Sequence, residues 1–338
     1  MAQLLGFALL SLLLTSILII PFIDFLYKVK LRRKHQNTVD LFNKPTPLFD
    51  KFNSWKVGTP FGGGLLIIIV VTVLFLWSFG ILNIKINIWE LFVILFKFIS
   101  FGVLGLYDDV KKLVNGNSKL SFFGLRLRHK FLLQCALATV PAVVLYLHLG
   151  YSFLFIRGIG QIDFGLLYIP FAIFVIVSFA NAFNIADGMD GLASGLLLIS
   201  LVAFLAITFT NVDQGLGLFI AILMGSVAAF LYFNVYKARI WLGDVGSMSL
   251  GASLAIIGLL TGKILAMGII GGVFVLEVGS SLIQIFGKKF LKRRLLPVAP
   301  LHLYFQMIGW DEPKIVMRAW WLGTVFAILG LYLAFINK

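Results

Sequence analysis

Carboxylates, lysines and asparagines recur in this chain in short polar stretches between long apolar runs, and together they could hold a metal ion and phosphate groups. The most polar stretch, residues 181–195, places Asn181, Asn184, Asp187 and Asp190 at intervals of three, with glycines among them. Each step of three drifts by about 60° on a helix, so only neighbouring pairs share a face. The glycines favour a loop or a helix start. A carboxylate at a membrane edge is costly unless it binds something, so the stretch is a candidate site; a plain polar turn is the alternative.

Two adjacent carboxylates, Asp108 and Asp109, follow a long apolar run. Such a pair repels itself and persists mainly where a cation offsets the cost. Lys112 lies four residues after Asp108 and three after Asp109, so on a continuing helix it can reach either one. The pair is therefore a second candidate site, with a charged membrane-edge cap and snorkelling lysines as the alternative.

A lone carboxylate, Asp244, is framed by Gly243 and Gly246 before the next apolar run. Glycine lets a backbone approach a phosphate or a metal closely, and an aspartate there is a natural Mg²⁺ ligand. The alternative interpretation is a plain helix N-cap.

The last polar region follows a basic cluster at 288–294, which holds five cations, and contains His302. Prolines 297 and 300 stop any helix before this histidine. A single histidine is as often structural as functional. Glu277 lies farther upstream among glycines in an apolar run, which suggests close packing and a cavity or groove.

The composition is that of a helical membrane protein. Of the 338 residues 60% are hydrophobic and 12% are charged, and the mean hydropathy is +1.02. We therefore predict an all-α polytopic membrane protein in a single domain, residues 1–338. The single cysteine, Cys135, provides neither a disulfide framework nor a cysteine metal site. The run Leu4–Ile23 lacks a basic segment before it, so we expect an uncleaved first span.

Apolar runs predict about ten spans, and basic residues predict their orientation. The spans are expected at 4–25, 62–82, 88–107, 130–149, 166–183, 192–210, 215–234, 247–262, 264–286 and 318–336. Lysine and arginine concentrate in the loops after odd-numbered spans, whereas Lys85, Arg157 and Lys263 are almost alone after even-numbered ones. Both termini should therefore lie outside, with the polar stretches cytoplasmic. Residues 151–165 suit a small outer hairpin, with an irregular loop as the equal alternative.

The concentration of basic residues in a few loops also explains the net charge of +14. We attribute this charge to membrane topology and to contact with anionic membrane lipid, and not to binding of nucleic acid. Five carboxylates, several lysines and one histidine then converge on one side of the membrane. That set suits Mg²⁺-assisted phosphoryl transfer at the membrane surface. It suits a transporter less well, because transport sites tend to lie near the bilayer midplane.

Several motifs together resemble a known family. They are GTPFGG at 58–63, DDVKK at 108–112, NAFNIADGMDG at 181–191, FN at 233–234 and GDVGS at 243–247, followed by a tail that runs from APLH at 299–302 to Arg318. This order resembles the polyprenyl-phosphate N-acetylhexosamine-1-phosphate transferases. The tail is most similar to one branch, the bacterial phospho-N-acetylmuramoyl-pentapeptide transferases.

The resemblance implies an inner-membrane enzyme, usually a homodimer, that moves phospho-MurNAc-pentapeptide from UDP to undecaprenyl phosphate and releases UMP. It implies Mg²⁺ as cofactor, held by Asp244, and catalytic roles for Asp108, Asp109, Asp244 and His302. Which residue of the Asp108–Asp109 pair acts as base, if either does, stays open. The substrate-binding residues that it implies are Lys56, Thr59, Lys112, Lys130, Asn181, Asn184, Asp187, Asp190 and Asn234.

One departure keeps alternatives open. The branch has a run of consecutive histidines where this chain has His302, Leu303 and Tyr304. The first alternative is therefore a UDP-GlcNAc-1-phosphate transferase for another surface glycan. A second is a secondary transporter of an anionic solute that uses Glu277. A CDP-alcohol phosphotransferase ranks last, because the Ala-Arg expected after Asp187-Gly188 is missing.

Overall fold

The computed structural model describes residues 2–33, 45–82, 86–114, 124–156, 160–211 and 214–336. Most of this part of the chain is helical. The helices are α1 (Ala2–Lys28), α2 (Pro47–Asn53), α3 (Gly63–Ile81), α4 (Ile88–Val114), α5 (Leu127–Leu147), α6 (Tyr168–Ala186), α7 (Leu192–Asn211), α8 (Gln214–Asn234), α9 (Gly243–Leu260), α10 (Ile264–Ile270), α11 (Gly272–Phe290), α12 (Leu301–Met307) and α13 (Glu312–Phe335).

The predicted spans are confirmed, with one correction. Within the described ranges nine helices are long and apolar enough to cross a membrane, or ten if α10 and α11 count as one span. The sequence predicts a continuous ninth span at 264–286, whereas α10 and α11 meet at a bend of 79°. Gly271 and Gly272 stand at the bend, where a Cβ atom would lie 2.8 Å from the Phe179 ring and 2.5 Å from the Phe326 ring, respectively. The glycine pair both weakens the helix and admits these two aromatic rings.

Helix α9 is the centre of the bundle and packs against α3, α4 and α6. Small residues allow this close approach. At Gly251 a Cβ atom would lie 2.6 Å from the Phe179 carbonyl oxygen, and at Gly246 it would lie 2.8 Å from the Gly64 Cα atom. Because lipid is as apolar as a leucine side chain, such helices associate through close packing at small residues. The position of Asp244 is therefore fixed by a tightly enclosed helix.

The alternation of helix direction brings the polar stretches to one end of the bundle. Helices α4, α6 and α8 end there, and α5, α7 and α9 begin there. At the opposite end, β1 (Phe153–Ile156) and β2 (Gly160–Asp163) form an antiparallel pair, which is the hairpin alternative for residues 151–165. Five of the basic residues used to predict the orientation lie outside the described residues, namely Lys34, Lys44, Lys85, Lys119 and Arg157.

Candidate active site

Three carboxylates and two lysines form one cluster, which we call the acid–lysine cluster: Asp108, Asp109, Lys112, Lys130 and Asp244. The ammonium nitrogen of Lys112 lies 3.1 Å from Asp108 Oδ2 and 2.9 Å from Asp244 Oδ2. That of Lys130 lies 3.3 Å from Asp108 Oδ2 and 2.6 Å from Asp244 Oδ2. Asp109 Oδ1 is 3.9 Å from the Lys112 nitrogen. The Lys112 contacts predicted from the helical spacing are thus present, and Asp244 joins them.

Two glycines let the end of α4 meet the start of α9. A Cβ atom on Gly105 would lie 2.1 Å from the Asp244 carbonyl oxygen, so a side chain there would push the two helices apart. Gly243 has a φ of +73°, and its Cβ would lie 2.7 Å from Asp109 Oδ2. This carboxylate oxygen accepts a hydrogen bond of 3.1 Å from the Val245 amide. Only glycine adopts that backbone conformation easily at so close an approach.

The N-cap interpretation of Asp244 is wrong. Helix α9 begins at Gly243 with Leu242 as its N-cap, and no side chain caps it. Asp244 instead lies in the first turn and turns both carboxylate oxygens toward polar side chains. Oδ1 accepts a hydrogen bond of 3.1 Å from Asn184 Nδ2, which also donates one of 2.6 Å to Ser247. Asn184 of α6 therefore joins the acid–lysine cluster, and Ser247 is a neighbour that the sequence did not single out.

Asn181 lies one turn earlier on α6 and points elsewhere. Its amide donates to Gln134 Oε1 at 2.8 Å and to the Val177 carbonyl at 2.8 Å, and Gln134 donates back at 3.4 Å. The drift expected from a spacing of three accounts for the separation from Asn184. This contact ties α5 to α6.

A second cluster forms around Lys56, a residue that is 1% exposed. Its nitrogen lies 2.7 Å from Glu312 Oε1, 3.5 Å from Asp190 Oδ1 and 3.4 Å from the Gly188 carbonyl oxygen. Glu312 Oε1 also accepts a hydrogen bond of 2.7 Å from the Asp190 amide. Glu312 lies in the tail that resembles the branch, but the resemblance implies no role for it. Its partner Lys56 is 256 residues away, so no local pattern could reveal the pair.

Aromatic and backbone groups complete this second cluster. The Lys56 nitrogen lies 4.6 Å from the centroid of the Trp241 ring, a cation–π contact that no sequence motif indicates. Asp190 Oδ2 accepts a hydrogen bond of 2.9 Å from the Ala238 amide. Burial raises the pKa of Asp190, and the neighbouring Lys56 ammonium opposes that shift. Thr59 is half-buried three residues after Lys56, and its amide donates to the Lys56 carbonyl at 3.3 Å.

Asp187 ends α6 between the two clusters and is half-buried. Burial and, to a lesser degree, the charges of Asp244 and Asp109 raise its pKa well above the usual range of a carboxyl group. A protonated carboxyl group at this point can donate a hydrogen bond, which a carboxylate cannot do.

Asn234 at the end of α8 is buried, and its side-chain amide forms hydrogen bonds with two nearby segments of the protein. It accepts hydrogen bonds from the Gly191 amide at 3.2 Å and from Ser194 Oγ at 2.7 Å, and it donates one of 3.0 Å to the Ile240 carbonyl. These contacts hold the 187–191 turn against the segment that leads into α9.

His302 lies in the first turn of α12 and is 2% exposed. Its Nδ1 lies 3.0 Å from Glu277 Oε2, which fixes the orientation of the ring. The opposite nitrogen faces the turn after α6, because a Cβ atom on Gly188 would lie 2.7 Å from His302 Nε2. The structure thus brings His302 beside Gly188, in the turn that also carries Asp187 and Asp190, and gives Glu277 a role as its partner.

The donors of the acid–lysine cluster fit a magnesium ion. Among the described residues no group of three or more histidine, cysteine, aspartate or glutamate side chains is arranged to hold a metal by itself. Mg²⁺ does not need such a cage, since it usually takes one or two carboxylates and completes its shell with waters and substrate phosphates. The three carboxylates outnumber the two ammonium groups, so when all are ionised an excess negative charge faces the site.

The fold and the site define a class. A polytopic helical bundle that gathers carboxylates, lysines and an oriented histidine at one end is the arrangement of a membrane-embedded phosphoryl-transfer enzyme. Residues 91–262 match the profile of Glycosyl transferase family 4.

Comparisons with curated proteins identify the branch. The chain is 36% identical over 301 residues to a phospho-N-acetylmuramoyl-pentapeptide-transferase of Borrelia hermsii, covering 82% of both chains. It is 38% identical to that of Chloroflexus aggregans, covering 83% of this chain and 78% of the relative. It is 34% identical to that of a Geobacillus species, covering 96% and 95%. The chain belongs to the phospho-N-acetylmuramoyl-pentapeptide transferase family.

Proposed function

We propose that this protein transfers phospho-MurNAc-pentapeptide from its UDP carrier to undecaprenyl phosphate, giving lipid I and UMP in peptidoglycan synthesis. The observation that carries the proposal is the convergence of Asp108, Lys112, Lys130 and Asp244 from three helices on one point. The names of the relatives give the transferred group, phospho-N-acetylmuramoyl-pentapeptide. The UDP carrier and the acceptor undecaprenyl phosphate are part of the proposal. We also propose that this end of the bundle faces the cytoplasm of the inner membrane, where the UDP-linked donor is made, and that the protein works as a homodimer.

The reaction exchanges one phosphoanhydride bond for another and leaves the sugar and lipid phosphate esters intact. An oxygen of undecaprenyl phosphate attacks the phosphorus that carries the sugar, a new P–O bond forms, and the bond to UMP breaks. The acceptor phosphate is already ionised near neutral pH, so positioning and charge neutralisation matter more than removal of a proton. Lys112 and Lys130 exchange carboxylate for phosphate oxygens as the substrates enter, and Asp108 and Asp109 hold these lysines in place.

Asp244, with Asp108 and Asp109 nearby, would hold the magnesium ion. When bound, the ion neutralises the charge that develops on the transferred and leaving phosphates. The two lysines contact the same carboxylate oxygen, Asp244 Oδ2, so they keep this oxygen oriented toward the site. Asn184 orients the other oxygen of that carboxylate.

The second cluster would bind the nucleotide end of the donor. Lys56, Asp190 and the Trp241 ring meet beside Gly188 and present a cation, a carboxylate and an aromatic face. Asp187 stands between this cluster and the magnesium ligands, so we place it, with Asn184, along the diphosphate. We place Thr59 beside Lys56 in the same cluster. Asn181 and Asn234 support these residues through the contacts described above.

The alternative donor is UDP-GlcNAc, because one histidine stands where the branch has several. The test is an assay of purified protein with undecaprenyl phosphate and either radiolabelled donor. We expect labelled lipid from UDP-MurNAc-pentapeptide and a rate at least a hundredfold lower from UDP-GlcNAc, which corresponds to about 2.7 kcal/mol in transition-state stabilisation. Product from UDP-GlcNAc alone would contradict the proposed substrate and leave the reaction type intact.

A transporter that uses Glu277 is disfavoured by the contact with His302. Glu277 pairs with His302 in the candidate site, whereas the transporter would need it as an unpaired acid near the middle of the membrane. Uptake of a solute by proteoliposomes without release of UMP from either donor would favour the transporter.

A further inference from the structure

A second face of helices α4 and α5 carries cations that the proposed reaction does not use. Successive residues on a helix are about 100° apart, so Lys111 and Lys112 point in different directions, as do His129 and Lys130. Lys112 and Lys130 contact the catalytic carboxylates. Lys111 and His129 instead line a cavity of about 470 Å³ on the outer side of the same two helices.

This cavity, which we call the α4–α5 notch, is lined by Tyr107, Lys111, Leu125, Arg126, His129, Leu132 and Leu133. It has a polar half and an apolar half. The cationic groups occupy the half near the ends of the helices, and the Lys111 nitrogen lies 5.8 Å from the centroid of the Tyr107 ring. Leu132 is 64% exposed and Leu133 is 42% exposed, one turn deeper along α5.

The cations of the notch lack a protein counter-charge. Within the described part of the chain, no carboxylate forms an ion pair with Lys111, Arg126 or His129. Residues 115–123, which follow α4 and precede Leu125 and Arg126 in the sequence, include neither aspartate nor glutamate and contain one lysine. An anion from outside the chain is therefore the natural partner for this face.

We propose that the notch binds the phosphate headgroup of an anionic membrane phospholipid. The cations face the membrane–water boundary and the exposed leucines face the bilayer, so a headgroup fits the polar half and an acyl chain runs along Leu132 and Leu133. A soluble phosphate would use only half of this surface. The bound lipid bridges α4 and α5 behind the acid–lysine cluster, at a place separate from the carboxylates that serve the reaction.

The test is binding of fluorescent phosphatidylglycerol to the purified protein in bicelles of uncharged phosphatidylcholine. The variant removes two permanent charges through Lys111→Gln with Arg126→Gln. Each basic residue near a lipid phosphate contributes roughly fivefold to binding, so we expect affinity to fall about 25-fold. The matched control is Arg128→Gln, which neutralises an exposed arginine of the same helix that does not line the notch. We expect this control to stay within twofold of wild type.

Unchanged binding in the double variant would overturn the proposal, as would an equal loss in Arg128→Gln, which would indicate diffuse attraction. A rise in the KM for undecaprenyl phosphate with phosphatidylglycerol binding unchanged would also overturn it, since the notch would then serve the acceptor. If the double variant does not elute as a folded protein, each single variant is measured instead, with about fivefold expected for each. The binding readout is independent of transferase activity, so it stands apart from the proposed reaction.

Discussion

The charge of Asp244 is the feature on which the proposed mechanism depends most, and Asp244→Asn removes it with almost no change in shape. In wild type, Oδ2 of this residue receives both lysines, at 2.9 Å and 2.6 Å. An asparagine keeps an oxygen that can accept one hydrogen bond, but it loses the charge that a magnesium ion and both ammonium groups use. Loss of one charged ligand in the transition state costs roughly 3 kcal/mol, which is about a hundredfold in rate.

The same variant should remain folded, because the lysines keep other partners. Lys112 stays 3.1 Å and Lys130 stays 3.3 Å from Asp108 Oδ2. The assay is release of UMP across a magnesium titration, with elution volume as the check on folding and Asp24→Asn as control, since Asp24 is an exposed carboxylate on α1. We expect a folded enzyme with about one hundredth of wild-type activity and a weak response to added magnesium. Turnover like wild type at limiting magnesium would refute the role of Asp244 as a ligand.

Three further predictions concern the nucleotide side, the histidine and the topology. Because the pKa of Asp187 is raised, its protonated form should bind the donor, and kcat/KM should fall as pH rises through that raised pKa; Asp187→Asn should flatten this profile. Glu277→Ala should lower kcat about tenfold or more because it releases His302, whereas Glu277→Gln should keep most of the wild-type kcat. Adding Glu277→Ala to a His302→Ala protein should lower kcat little further. If the losses in kcat of the two alanine variants were additive, the orienting role of Glu277 would be contradicted. The topology test replaces the native cysteine by serine and introduces single cysteines at the exposed positions Asp163 and Arg293. These two cysteines should label from opposite sides of the membrane. Labelling of both from outside would contradict the proposed orientation.

Local spacing predicted those parts of the site that lie within one helix. The contact of Lys112 with Asp108 follows from their separation of four residues. Outside the site, the glycines and apolar residues of 151–165 left a hairpin and an irregular loop equally open, and the structure has the hairpin. The alternative interpretation of Asp244 as an N-cap is wrong because the start of α9 depends on its approach to α4, which no local pattern encodes. Tertiary packing also creates the pair of Lys56 with Glu312, residues that are far apart in the chain.

The break in the ninth span shows the same limit. Gly271 and Gly272 are visible in the sequence, but glycines recur in most of the apolar runs, and several of those helices stay continuous. What distinguishes this pair is the presence of the Phe179 and Phe326 rings against it, which is a property of the assembled bundle. Sequence reasoning therefore located the spans and left the bend undetected.

The most direct test of the central claim is the stoichiometry of the reaction. Purified protein is supplied with UDP-MurNAc-pentapeptide, undecaprenyl phosphate and magnesium, and both UMP and the lipid-linked product are counted. The proposed reaction should give one lipid-linked product for each UMP, and no UMP without undecaprenyl phosphate. A chelator should abolish the formation of UMP and of the lipid-linked product until magnesium is restored. Release of UMP without the acceptor lipid, or full turnover in the presence of the chelator, would contradict the proposed reaction.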